Sequence, residues 1–281
     1  MWFVSARPIN EEGELSSANE ITQDQLILGK LIDSKKVLPQ KINTWLAELT
    51  DCPNKHIIFY LHGFNNPPYK KVVRRVRNIQ AQVKKSGIDS FVVVPIFWPT
   101  QQDSMPVNNY YQDQQWADLT AQLIHKYLLP LTEKITNHSI HFIAHSMGAR
   151  VLLNSLKNTH YRHFSQLFLI APDVVNEILE VGQPGEIFSQ SFKQVTLFYA
   201  NDDLALTTSV IANVANKVLS RRLGQSGPEN IDLLPENVTA IDCSDINYST
   251  DSVKGHSYFV SKHKEITPVI KTICDVIMQT K

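Results

Sequence analysis

The segment Ala144-His145-Ser146-Met147-Gly148 places a serine between a hydrophobic run and a helical pattern. A serine hydroxyl is a weak nucleophile at its free pKa, and it acts only with a base within hydrogen-bond reach that is itself oriented by an acid. The pentapeptide approaches G-x-S-x-G, in which a strand turns so sharply into a helix that small residues must flank the serine two positions before and after. Alanine stands at the first of these positions, which keeps the steric logic with a weaker motif match. Before the serine, "SIHFIA" is rich in β-branched and apolar residues. After it, Ala149, Leu152, Leu153 and Leu156 share one helical face. The competing role is an ordinary helix N-cap; the strand-turn-helix setting favours a nucleophile.

The partners of such a serine belong at the carboxyl ends of parallel strands, where the sites of α/β sheets lie. Of the 10 histidines, that criterion leaves His256 in "VKGHSYF", after the last strand-like run and before the last helical pattern. For the acid, Asp202 and Asp203 follow "VTLFYAN", and Asp173 follows "LFLIAP". The order serine, aspartate, histidine is that of an α/β-hydrolase triad, and Asp173 satisfies it as well as Asp203 does. Asp173 could equally cap the following helix. An oxyanion needs donors, for which backbone amides suffice. Met147 N–H follows the nucleophile, and Phe64 N–H follows "IIFYLHG", with Asn65 as the nearby alternative. His62 and His145 read as structural hydrogen-bonding residues. Trp98, Tyr110, Tyr111 and Trp116 gather after "FVVVPIFWP" and are candidates for an aromatic substrate wall, against the plainer role of packing the core.

Six strand-like runs must position these groups: 56–64, 91–99, 139–146, 166–174, 194–202 and 237–245. Most are continuously apolar, which suits parallel strands covered on both faces. Helical patterns fall between them, at about 70–83, 109–135, 147–158, 204–222 and 267–279, the last with Thr267 as cap and Pro268 in the first turn. The class is therefore α/β, in a single domain, with a mostly parallel central sheet and helices on both faces. Val72, Val76, Ile79 and Val83 make one face of the first of these helices. Lys70, Lys71, Arg74 and Arg75 make another, expected to be solvated. The first 50 residues look irregular, with one or two edge strands and a short helix expected.

Lys plus Arg equals Asp plus Glu at 27 each, so no global field would recruit nucleic acid or an anionic membrane. The expected partner is a small acyl substrate. No G-x-G-x-x-G, P-loop or H-E-x-x-H spacing occurs, and neither a cofactor nor a metal is expected. Cys52, Cys243 and Cys274 are too few and too scattered for a disulfide framework and read as buried thiols. Without a basic, then apolar, leader or a membrane-length apolar run, a cytoplasmic location is the expectation.

Together "FYLHGFNN", "FWP", "AHSMGAR", "APDVV", "NDDLAL", "RLG" and "HSYF" resemble a little-characterised bacterial α/β-hydrolase family, a domain of unknown function, over roughly residues 55–260. In that family D-x-A-L follows the strand before the acid turn. It matches Asp203-Leu204-Ala205-Leu206, so the resemblance implies Asp203 as the acid. It also implies the α/β-hydrolase fold and a Ser146, Asp203, His256 triad. The expected function is a carboxylesterase or lipase-like serine hydrolase working through an acyl-enzyme. The alternatives are an acyltransferase or thioesterase with the same nucleophile, or a non-catalytic protein on a hydrolase fold.

Overall fold

The structure is a computed structural model that describes all residues except 18–20, 52, 54, 102–105, 208–219, 247–254, 262–264 and 280–281; of 106–109 only the backbone is described. The strand-like runs become β4 (His56–Leu61), β5 (Phe91–Phe97), β6 (Ser139–His145), β7 (Phe164–Ile170), β8 (Phe192–Tyr199) and β9 (Val238–Asp242), all parallel to one another. Ahead of them come β1 (Trp2–Ser5), β2 (Ile27–Leu31) and β3 (Val37–Pro39). The whole forms one 9-stranded sheet in the order β3-β2-β1-β5-β4-β6-β7-β8-β9.

The N-terminal segment thus corrects the sequence expectation. It supplies three strands, and β1 is internal, antiparallel to β2 and parallel to β5. Its short apolar runs carry little periodicity because the strands are only 4, 5 and 3 residues long. Outside the sheet, α1 (Ile42–Thr50) follows β3.

Why the central runs are continuously apolar is plain from the layers. Along β4, Ile57, Phe59 and Leu61 pack on one face with Trp45 and Leu49 of α1, whereas Ile58 and Tyr60 enter the core on the other. The first layer also contains α3 (Pro106–Leu123) and α5 (Gly148–Leu156), through Ala117, Ala121, Leu152 and Leu156. The second contains α2 (Arg74–Lys85), preceded by a π-helical turn at Pro68–Val73, and the C-terminal helix Pro268–Gln279. Val76, Ile79 and Val83 meet Ile270, Ile273 and Ile277 there. That C-terminal helix is capped as its sequence suggests, with Ile270 N–H donating to Thr267 Oγ1 at 3.3 Å.

Between β5 and β6, α3 runs through a π-helical turn at Ile124–Leu128 into the single-turn α4 (Leu129–Thr132). Of the helix expected over 204–222, residues 204–207 are helical and 208–219 lie outside the described residues, but 220–222 are not helical, Arg222 being drawn into a bridge with Val175. Cys243 and Cys274 are buried free thiols, while Cys52 lies outside the described residues. Among the described residues no helix is long and apolar enough to cross a membrane.

Candidate active site

Three positive-φ, non-glycine residues stand just past the carboxyl ends of adjacent strands: Asn65 after β4 (φ 52°), Ser146 after β6 (φ 56°) and Ala171 after β7 (φ 46°). Such backbone costs on the order of 1–3 kcal/mol per residue and persists only where its surroundings over-determine it. Around Ser146 the constraints are visible. Its N–H donates to Ile170 O on β7 at 3.0 Å, and its carbonyl accepts from Ala149 N–H at 3.0 Å and Asp173 N–H at 3.1 Å. A β-carbon on Gly148 would lie 2.5 Å from the Leu61 carbonyl oxygen, so α5 leaves the serine pressed against β4 and no side chain fits there. Ala144, the departure from the motif, pairs with Leu61 in the sheet and is fully buried. Ser146 itself is 5% exposed.

The loop after β4 closes over this turn. A β-carbon on Gly63 would come 2.7 Å from Ser146 Cβ and 3.1 Å from its Oγ, so only glycine lets that backbone approach. His62 anchors the loop's start. Its Nδ1 donates to Gly63 O at 2.9 Å, its Nε2 accepts Trp98 N–H at 3.3 Å, and its carbonyl accepts Trp98 Nε1–H at 2.8 Å. Burial drives its pKa down to about 3, so the ring stays neutral and can both donate and accept. Beyond it, Asn66 Nδ2 donates to the carbonyls of Gly63 (2.8 Å) and Phe64 (2.7 Å). Asn65 N–H is turned to the Asp113 carboxylate, which also accepts Gln101 N–H at 2.9 Å. The Asn65 amide is therefore engaged within its own loop. Burial outweighs those amide donors and raises the Asp113 pKa to about 7.

Asp203 and His256 meet although they lie far apart in sequence. His256 Nδ1 is 2.7 Å from Asp203 Oδ2, with Asp203 fully buried. The other oxygen, Oδ1, accepts the N–H of Ala205 (3.0 Å) and Leu206 (3.2 Å), which fixes the carboxylate plane. Asp202 is exposed beside it. Asp173 is engaged elsewhere: its Oδ2 accepts Tyr110 O–H at 2.8 Å and its Oδ1 pairs with Arg222 Nε at 3.2 Å.

The histidine loop is tied down at every residue from 256 to 259. His145, next to the serine, points Nε2 at His256 O (3.0 Å) and lays its ring against that of His256 at 4.7 Å between centroids. Burial first, then the neighbouring His256 and Arg75, hold the His145 pKa well below the ordinary histidine value, so it serves as a neutral donor. Arg75 donates Nη2–H to Ser257 Oγ at 2.9 Å, Tyr258 O–H donates to Phe198 O at 2.9 Å, and Gln82 Nε2 donates to Phe259 O at 3.0 Å. The same Arg75 guanidinium reaches Asn66 Oδ1 through Nη1, so one buried cation joins the loop after β4 to the loop carrying His256.

Arg75 is a correction to the expected solvated face, being only 4% exposed. The signal was available in the sequence. Arg75 follows Val72 by three residues and precedes Ile79 by four, so it shares their buried face. The expected aromatic wall also changes. Trp98 is fully buried and stacked on His62 at 5.2 Å, which leaves it no face toward a substrate. Tyr110 is buried with its hydroxyl on Asp173 and its ring edge near Phe64, and half-buried Tyr111 packs against it. Among the described residues no cluster of three or more His, Cys, Asp or Glu could hold a metal ion.

Comparison with solved structures finds MenH from S. aureus (14% identity, covering 80% of this chain and 94% of that one, TM-score 0.41). It also finds a lipase-esterase related protein from Clostridium acetobutylicum (12%, 81% and 95%, TM-score 0.38) and a metagenomic carboxyl esterase (12%, 80% and 76%, TM-score 0.35). No curated protein matches the chain. Residues 39–273 match the family described as "Alpha/beta hydrolase of unknown function (DUF900)", and the chain, whose parallel sheet those residues build, belongs to that family.

Proposed function

We propose that the protein is a serine-dependent hydrolase of carboxylic esters, with Ser146 as nucleophile, His256 as general base and Asp203 as the acid that orients it. The observation that carries this is the 2.7 Å contact of His256 Nδ1 with buried Asp203, on a loop locked by His145 beside a serine in a strained strand-to-helix turn. A carboxylate on Nδ1 keeps the proton there and leaves Nε2 as the basic nitrogen. Ser146 Oγ attacks the acyl carbon as its proton passes to Nε2. The carbonyl electron pair moves onto oxygen, where the N–H groups of Met147 and Phe64 receive it. Collapse of this intermediate breaks the bond to the leaving alkoxide, which takes the proton from His256. Water then repeats the sequence on the acyl-serine and releases the acid.

The test is reaction with a fluorophosphonate followed by mass spectrometry of the peptides. The adduct is expected on Ser146, and both labelling and ester turnover should vanish in Ser146→Ala. An adduct that survives this substitution would place the nucleophile elsewhere.

A further inference from the structure

We propose that the cavity between α3 and α5 is a subsite for an anionic group, so that the preferred substrate is an acyl ester carrying a carboxylate or phosphate. The proposal rests on Ser146 being the nucleophile. The cavity measures about 440 Å³, and its polar walls include Asp118, Arg150, Lys157, Asp173 and Arg222. Ser146 is not itself on the wall, but two wall residues adjoin it through the backbone. Asp173 on its wall donates its N–H to Ser146 O at 3.1 Å, and Arg150 is the third residue of α5, the helix that begins two residues after Ser146.

The cavity's two carboxylates are already engaged. Asp118 receives Arg150 Nε–H (2.9 Å), Arg150 Nη2–H (2.8 Å) and Asn154 Nδ2–H (2.5 Å). Asp173 receives Tyr110 O–H at 2.8 Å and the Arg222 guanidinium at 3.2 Å. Its donors are in surplus. A guanidinium carries five N–H bonds and an ammonium three, and Asp118 takes only two of those on Arg150. Lys157 is exposed, and no carboxylate among the described residues pairs with it. Three cations therefore stand against two carboxylates around one cavity.

A neutral acyl chain in this space would leave charged donors facing apolar atoms, a costly arrangement. A carboxylate or phosphate would satisfy them. Val174 and Ile178 supply the apolar part of the wall, which suits a short methylene spacer between that anion and the reacting carbonyl.

The experiment compares p-nitrophenyl pentanoate, its charged counterpart mono-p-nitrophenyl glutarate, and pentanoyl glycerol phosphate against pentanoyl glycerol, with fluorophosphonate labelling run in parallel. At least one charged ester should exceed its neutral partner in kcat/KM by about tenfold, the worth of one charge-assisted hydrogen bond. The glutarate arm places the anion on the acyl side, and the phosphate arm places it on the alcohol side. The advantage should shrink in high salt and in Lys157→Glu, whose exposed position keeps the fold intact, and more strongly in Arg150→Gln. Labelling of Ser146 with equal turnover of charged and neutral esters, or with an advantage unmoved by both substitutions, overturns the subsite and leaves the nucleophile standing. Absence of labelling on Ser146 removes the nucleophile and the subsite together.

Discussion

Asp203→Asn and Asp173→Asn should separate chemistry from stability. In Asp203→Asn, the side-chain carbonyl is drawn to the Ala205 and Leu206 amides that now hold Oδ1, at 3.0 and 3.2 Å. The amide NH₂ then faces His256 Nδ1 across the present 2.7 Å contact. Two donors cannot share that contact, so Nδ1 becomes the acceptor and the ring proton moves to Nε2, the nitrogen that receives the serine proton in the mechanism proposed above. Loss of the correct tautomer lowers kcat by about 10⁴, equivalent to about 5 kcal/mol of barrier. All contacts at the site remain hydrogen-bonded, so Tm should fall by no more than about 3 °C.

Asp173→Asn behaves in the opposite way. Arg222, 5% exposed, loses the carboxylate it pairs with at 3.2 Å. Breaking a buried pair costs about 3–5 kcal/mol, so Tm should drop by roughly 6 °C or more. The effect on kcat should be far smaller than that of Asp203→Asn. Steady-state ester hydrolysis and differential scanning calorimetry on both variants decide the matter. A crippled Asp173→Asn of native Tm beside an active Asp203→Asn would refute the assignment.

Gly63→Ala forces a β-carbon to within 2.7 Å of Ser146 Cβ, so a displacement of the loop after β4 should cut kcat by about 100-fold in a protein with native circular dichroism. Replacing Arg75 by Met should loosen the link between Asn66 and Ser257, lowering kcat more than it raises KM; Arg75→Lys should recover more of the Tm than of the kcat, and equal recovery of both would argue for a purely structural role. The stability of the protein should fall on acidification. His62 and His141, lowered by burial from 6.5 to about 3, and His145, held well below 6.5 by burial, are neutral when folded but protonated when unfolded below 6.5, each contributing about 1.4 kcal/mol per pH unit at most. Asp113, raised from 3.8 to about 7, works against them, because it holds a proton when folded and releases it when unfolded in that window. Urea unfolding between pH 4.5 and 6.5 should therefore show stability rising with pH, more steeply in Asp113→Asn; a flat profile would contradict both groups of shifts.

The local pattern of the chain determined much of this. Continuous apolar runs require strands covered on both faces, and β4, β5, β6 and β7 are such strands, whereas β9 at the sheet edge has no buried residue. The change of period at Ser146, with small residues on either side, marks a turn from strand to helix because no larger side chain fits between α5 and β4. The positions of His256 and of three aspartates past strand ends were legible for the same reason. Which aspartate meets His256 was not. From the residues alone Asp173 and Asp203 were equivalent, and only the resemblance to a known family favoured Asp203. The choice depends on a contact between residues 53 apart, and on Arg222 and Tyr110 claiming Asp173. Likewise, Arg75 reaches Ser257 across 182 residues. Trp98 is a core residue because His62 lies under its ring, and β1 is internal because β5 pairs with it. Periodicity records which face of an element is apolar, over a few residues at a time. Hydrogen bonds and ion pairs between distant loops depend on where the sheet brings those loops together, and that is settled only when the strands have taken their order.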